Sequence, residues 1–166
     1  MGLDARGRKE DQRRSFYNTA PQNKFFGLAR TLLLRTMNDS TEHHEIAKLV
    51  QQHGAVPPPW FMFPDVNPYD ICWRMGDGES YIMLYSTWWE QEKEQLDEKK
   101  RIEYFRKWPP PPEWLTWMID AIWDLDPQDY ENEDDYKPYF RRIEELGFGS
   151  EDDYKNAMRD AAEEIE

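Results

Sequence analysis

Proline placement limits what this chain can fold into. Of its 12 prolines, nine fall in two stretches, "AVPPPWFMFPDVNPYD" at 55–70 and "PPPPEW" at 109–114. Each proline removes a backbone donor and pushes the residue before it toward extended backbone. Neither a helix nor a central strand can run through either stretch. The first therefore reads as a non-helical strap, with Trp60, Phe61, Phe63 and Tyr69 anchoring it to its surroundings. The second reads as a break, with Pro112 well placed as the first residue of the next helix. "PPPW" and "PPPPEW" also resemble polyproline ligands for aromatic grooves. Both sit between aromatic-rich segments that a core would claim, which favours packing within the chain.

Between the breaks the periodicity is helical. Phe25, Leu28, Ala29 and Leu32 keep steps of three and four, widened by Leu33 and Met37. Asp39 with Glu42 forms a capping-box pattern for a second helix, and Gly54 is a natural terminator. From Gly78, Tyr81, Leu84, Tyr85 and Trp88 share one face. "EQEKEQLDEKKR" then offers only Leu96, as a solvated helix or an exposed turn, before "IEYFRKW" restores the stripe. "PEWLTWMIDAIWDL" has few polar positions and is expected to be the most buried helix. Two more segments follow, separated by Gly147 and Gly149, with Ser150 capping the last. The expectation is an all-α, single-domain bundle of about six helices with a proline- and aromatic-rich strap. At most a short strand is expected near 70–75. Residues 1–18 read as a polar N-terminal arm and 19–166 as one helical domain. With 15% aromatic residues, eight of them tryptophan, a modest apolar content can still build a core.

Net charge is −13, and residues 124–166 hold 16 acidic against 5 basic side chains, so −11 of it lies there. Such a surface repels a duplex backbone, which argues against direct nucleic-acid binding. The single cysteine, Cys72, excludes an internal disulfide and reads as a structural thiol in a reducing compartment. No apolar leader, myristoylation pattern or membrane-length apolar run is present, so a cytoplasmic, non-membrane protein is expected.

"WRMGDGESY" at 73–81 looks most like a site. A phosphate loop there fails, because Asp77 and Glu79 would occupy the anion's place, and neither a Walker lysine nor a third glycine follows. A helix start explains the same residues: the glycines permit positive φ, Asp77 can cap, and Glu79 complements the helix dipole. Arg74 and Glu79, flanked by Trp73 and Tyr81, are expected either to pair internally or, with His43, to line a small polar pocket. The string W-R-M-G-x-G-E-x-Y resembles one in short uncharacterised bacterial proteins, some encoded near polymorphic toxin loci. That resemblance implies an immunity-type role and transfers no catalytic residue.

Other constellations are bland. His43 and His53 are ten residues apart, roughly 15 Å along a helix, and no HExxH or Cys/His cluster accompanies them. His43 is expected on the face of Ile46, Val50 and His53. "DLDPQDYENEDDY" lacks the glycine an EF-hand loop needs. No nucleophile elbow appears, and spacing selects no carboxylate pair from the 34 acids. No metal, cofactor or catalytic set is expected, and the balance is against an enzyme. The leading expectation is an acidic protein-binding module, an immunity protein or inhibitor of a more basic partner. Glu131, Glu133, Asp134 and Asp135 would steer that partner, with Tyr130 and Tyr136 as aromatic anchors. The alternatives are a DNA mimic and a small enzyme around Arg74, Glu79 and His43.

Overall fold

The computed structural model describes residues 39–126 and 133–163. The arm at 1–18 and the helix expected from Pro21 lie outside the described residues. The rest is all-α: seven α-helices and, among the described residues, no strand. They are α1 (Asp39–His53), α2 (Pro59–Met62), α3 (Gly76–Glu92), α4 (Glu98–Lys107), α5 (Leu115–Trp123), α6 (Lys137–Glu145) and α7 (Glu151–Glu163). Short 3-10 turns stand at Ile71–Arg74, Pro112–Trp114 and Glu133–Tyr136.

Local chemistry accounts for the ends. Gly54, at φ +82°, terminates α1, its N–H bonding the Val50 carbonyl. Asp97 caps α4 by accepting from the Lys100 N–H at 2.9 Å. Gly147 and Phe148 bond back to Glu144 and Ile143, the paired bonds of a Schellman stop. Ser150 and Asp153 close a reciprocal box at the start of α7. The Ser150 hydroxyl (2.7 Å) and N–H (2.8 Å) both donate to the Asp153 carboxyl and hold it below its usual range.

Two expectations need correction. The strap is not wholly non-helical: Pro59 opens the single turn α2, where its missing donor costs nothing. The possible strand at 71–75 is a 3-10 turn instead, because Asp70 accepts from the Cys72 N–H at 2.8 Å and curls the backbone. The stretch "EQEKEQLDEKKR" divides into the end of α3, a turn over 93–97 and the start of α4. Arg101 holds that turn. Its guanidinium donates to the carbonyls of Lys93 (2.7 Å), Leu96 (3.0 Å) and Ile122 (3.0 Å), clamping the turn to the end of α5.

The core is built of indoles. Seven of the eight tryptophans are buried, and Trp60 alone packs on Phe105, Trp114 and Trp117 at centroid distances of 5.4–5.9 Å. Helix α5 is buried from Leu115 through Ile122, as its sequence led us to expect. The two proline stretches lie against this core and are bonded by it. The Val56 and Pro57 carbonyls accept from Tyr104 (2.7 Å) and Tyr81 (2.8 Å). The Asn67 and Trp108 carbonyls accept from the indoles of Trp73 (2.7 Å) and Trp60 (3.0 Å).

Replacing Arg101 by Met keeps the apolar stem and removes all four donations, to Lys93, Leu96, Ile122 and, at 3.4 Å, Ala121. Hydrogen bonds from charged groups are worth about 1.5–3 kcal/mol each, but the exposed turn can rebind water. A loss of about 2–3 kcal/mol in urea-unfolding stability is expected.

Candidate functional site

Two places gather the residues that the sequence singles out. The first is the corner at 70–83. Trp73 is 1% exposed, its indole bonded to the Asn67 carbonyl and its ring edge-on to Phe63 and Trp114. Tyr81 is half-buried, bonded to Pro57, and its hydroxyl is pushed well above the usual range by burial. Gly78 fits because it lacks a side chain: a Cβ there would stand 2.5 Å from the Cys72 carbonyl oxygen. Gly76 takes φ +70°, so only the first glycine serves positive φ and the second serves close approach.

The motif thus divides into an inward set, Trp73, Gly78 and Tyr81, and an outward set. Arg74, Met75, Asp77 and Glu79 are all exposed. No ion pair or hydrogen bond joins Arg74 to Glu79, so the expected internal pair does not form. His43 is exposed on α1, as is Val50, while Ile46 and Leu49 face the core. The face expected to carry His43 with Ile46 and Val50 is therefore turned by one position. His53 packs edge-on to Phe61. No bond gathers Arg74, Glu79 and His43 into a pocket. Among the described residues no group of three His, Cys, Asp or Glu side chains could hold a metal.

The second place is Asp120, which sequence reasoning passed over as one polar position in an apolar helix. It is 3% exposed, and Tyr136 donates to its Oδ1 at 2.8 Å. Burial pushes its carboxyl up to about 8, with the Asp126 charge adding to the effect and the Tyr136 bond opposing it. One helical turn earlier the Thr116 hydroxyl is buried with no partner. A single acid within an otherwise apolar helix was the available signal.

This bond fixes the acidic turn. Tyr130 and Glu131 lie outside the described residues. Glu133 begins the 3-10 turn, Asp134 and Asp135 are exposed on it, and Tyr136 closes it with its hydroxyl on Asp120. Asp134 pairs with Lys137 at 2.7 Å, which holds its carboxyl below the usual range. Tyr136 is half-buried, and its hydroxyl serves the fold through Asp120. Comparison with protein-family models, curated proteins and solved structures found no match.

Asp120 gives a pH test. Its carboxyl is raised in the fold from 3.8 to about 8, so the native state holds a proton that the unfolded chain releases. Its contribution is complete below pH 3.8 and is lost as pH rises through about 8. Asp120→Asn should therefore flatten the decline in stability between these values. Parallel stability–pH curves for the two proteins, from urea unfolding, would refute a raised Asp120.

Proposed function

We propose that this chain is an acidic protein-binding module, an immunity protein or inhibitor that neutralises a more basic partner. The observation that supports this reading most is the Tyr136–Asp120 bond, which anchors the acidic turn to the most buried helix. Asp134 and Asp135 are thereby held in solvent on a pre-positioned turn. Ordering a flexible segment on binding costs affinity, and a turn already tied down avoids part of that cost. Exposed carboxylates steer a basic surface to the encounter and fix its register. The excess of negative charge over residues 124–166 extends the field around the turn. The resemblance of the 73–81 string adds support for the immunity-type role. Among the described residues no helix is long and apolar enough to cross a membrane.

The partner is to be captured from host lysate at low salt and released at high salt. With it in hand, Asp134→Lys/Asp135→Lys should slow association at least about tenfold at low salt, because steering charges act chiefly on the association rate. The dissociation rate should change less, and the near-UV circular dichroism should stay native. Association at the native rate after the double reversal would remove this turn from the interface.

A further inference from the structure

The acidic turn is tied to a buried acid. Helix α5 is buried from Leu115 through Ile122, and Asp120, 3% exposed, is the one ionisable side chain in that span. Tyr136 donates to its Oδ1 at 2.8 Å. One helical turn earlier, on the same side of α5, the Thr116 hydroxyl is buried without a hydrogen-bond partner.

Among the described residues no cation pairs with this carboxyl, because those of the surrounding elements are committed elsewhere. On α4, Arg101 spends its guanidinium on backbone carbonyls, those of Ala121 and Ile122 included. On α6, Arg142 pairs with Glu98 and lies over the Trp123 ring at 5.1 Å, and Arg141 is exposed. Lys137 pairs with Asp134, Lys93 with Glu90 and Asp124, and Lys155 with Glu151. Glu113, in the 3-10 turn before α5, and Asp126, just after it, carry the same sign as Asp120. A buried carboxylate without a cation costs far more than one hydrogen bond returns, so Asp120 sits in the closed fold as the neutral acid. Its carboxyl, raised by burial to about 8, agrees.

The turn over 133–136 packs on α6, and the Tyr136 hydroxyl ties it to α5. Lifting the turn removes that donor and lets water reach Asp120, whose carboxyl then returns to its ordinary 3.8. Closed and open turns therefore differ by one bound proton between 3.8 and about 8. The closed turn has the raised value, so its advantage is complete below 3.8 and declines until it is lost at about 8. The displayed charge responds differently. Asp134, exposed and paired with Lys137, is held below the usual carboxylate range, so it stays charged while Asp120 takes up its proton.

We propose that Asp120 is a proton-operated latch for the acidic turn: the neutral acid holds the turn closed through Tyr136, and loss of its proton loosens the turn. Acid discharges an ordinary acidic surface, whereas mild acid orders this one while it keeps its charge. A tighter grip on a basic partner at mildly acidic pH rests on the partner reading; the latch itself does not.

Amide hydrogen exchange of the full-length chain tests the latch with no partner present. It is followed by mass spectrometry from about pH 5 to about pH 8 and corrected for the intrinsic pH dependence of exchange. Peptides covering 133–139 should lose protection about tenfold per pH unit, the slope that one released proton sets. Peptides of α5 should stay protected throughout, which marks the opening as local. Asp120→Asn has no proton to release, so its protection at 133–139 should be flat with pH. A flat profile in the native chain, an equal fall in α5, or the same slope in Asp120→Asn would overturn the proposal. Should Asp120→Asn not fold, the 13C resonance of the Asp120 carboxyl in the native chain decides. A midpoint raised above the ordinary carboxylate range and shared with the amides of the turn supports the latch. An ordinary midpoint, or turn amides that do not follow it, overturns the latch.

Discussion

Four carbonyls govern how this chain holds together. Those of Val56, Pro57, Asn67 and Trp108 each belong to the residue immediately before a proline, and each accepts from an aromatic side chain. The coincidence has a physical cause. A residue before proline is pushed toward extended backbone, and although the Asn67 carbonyl also accepts from the Asp70 N–H at 3.2 Å, among the described residues no backbone donor bonds a carbonyl such as that of Val56, Pro57 or Trp108. Buried and unpaired, it would cost about 1–3 kcal/mol. Tyrosine and tryptophan bring an apolar body that fills the core and a polar tip that reaches the carbonyl. The richness in both residue types and in proline is one device, in which each side needs the other.

That device also explains the surface. Because Trp73 and Tyr81 are spent inward on the strap, with Gly78 packed beneath them on Cys72, Arg74, Met75, Asp77 and Glu79 are turned to solvent. The same arrangement recurs at α5, where Tyr136 is spent on Asp120 and leaves Asp134 and Asp135 outside. In both places an aromatic anchor fixes a short turn whose charged residues are then displayed. A binding role needs such displayed, pre-positioned groups, and it requires no convergence of Arg74, Glu79 and His43.

Much of the fold was legible because its signals are local. Periodicity marks α3 to α7, Gly54 and Ser150 mark ends, and the fullness of "WLTWMIDAIW" marks the buried helix. What escaped was set by contacts distant in sequence. Nothing adjacent to Asp120 shows that Tyr136 will meet it, and nothing in "WRMGDGESY" shows that Gly78 must clear the Cys72 carbonyl. The His43 face was turned by one position because α1 has polar residues on both sides and a weak stripe. The one-turn helix α2 was missed because the prolines that forbid a long helix are well suited to starting a short one. At the candidate site, the exposed acids could be read from composition, whereas their anchoring could not.

The central claim is that aromatic hydroxyls and an indole satisfy the Val56, Pro57 and Trp108 carbonyls, which no described backbone donor reaches. Urea unfolding of Tyr104→Phe tests it most directly, because this change removes one oxygen and leaves the ring in place. Tyr104 is 9% exposed and its hydroxyl is bonded to the Val56 carbonyl, in a residue that is 0% exposed. The account requires a loss of about 1–3 kcal/mol, the cost of a buried carbonyl left unsatisfied. Stability within about 0.3 kcal/mol of the native chain, well below that cost, would contradict it and leave the strap held by apolar packing alone.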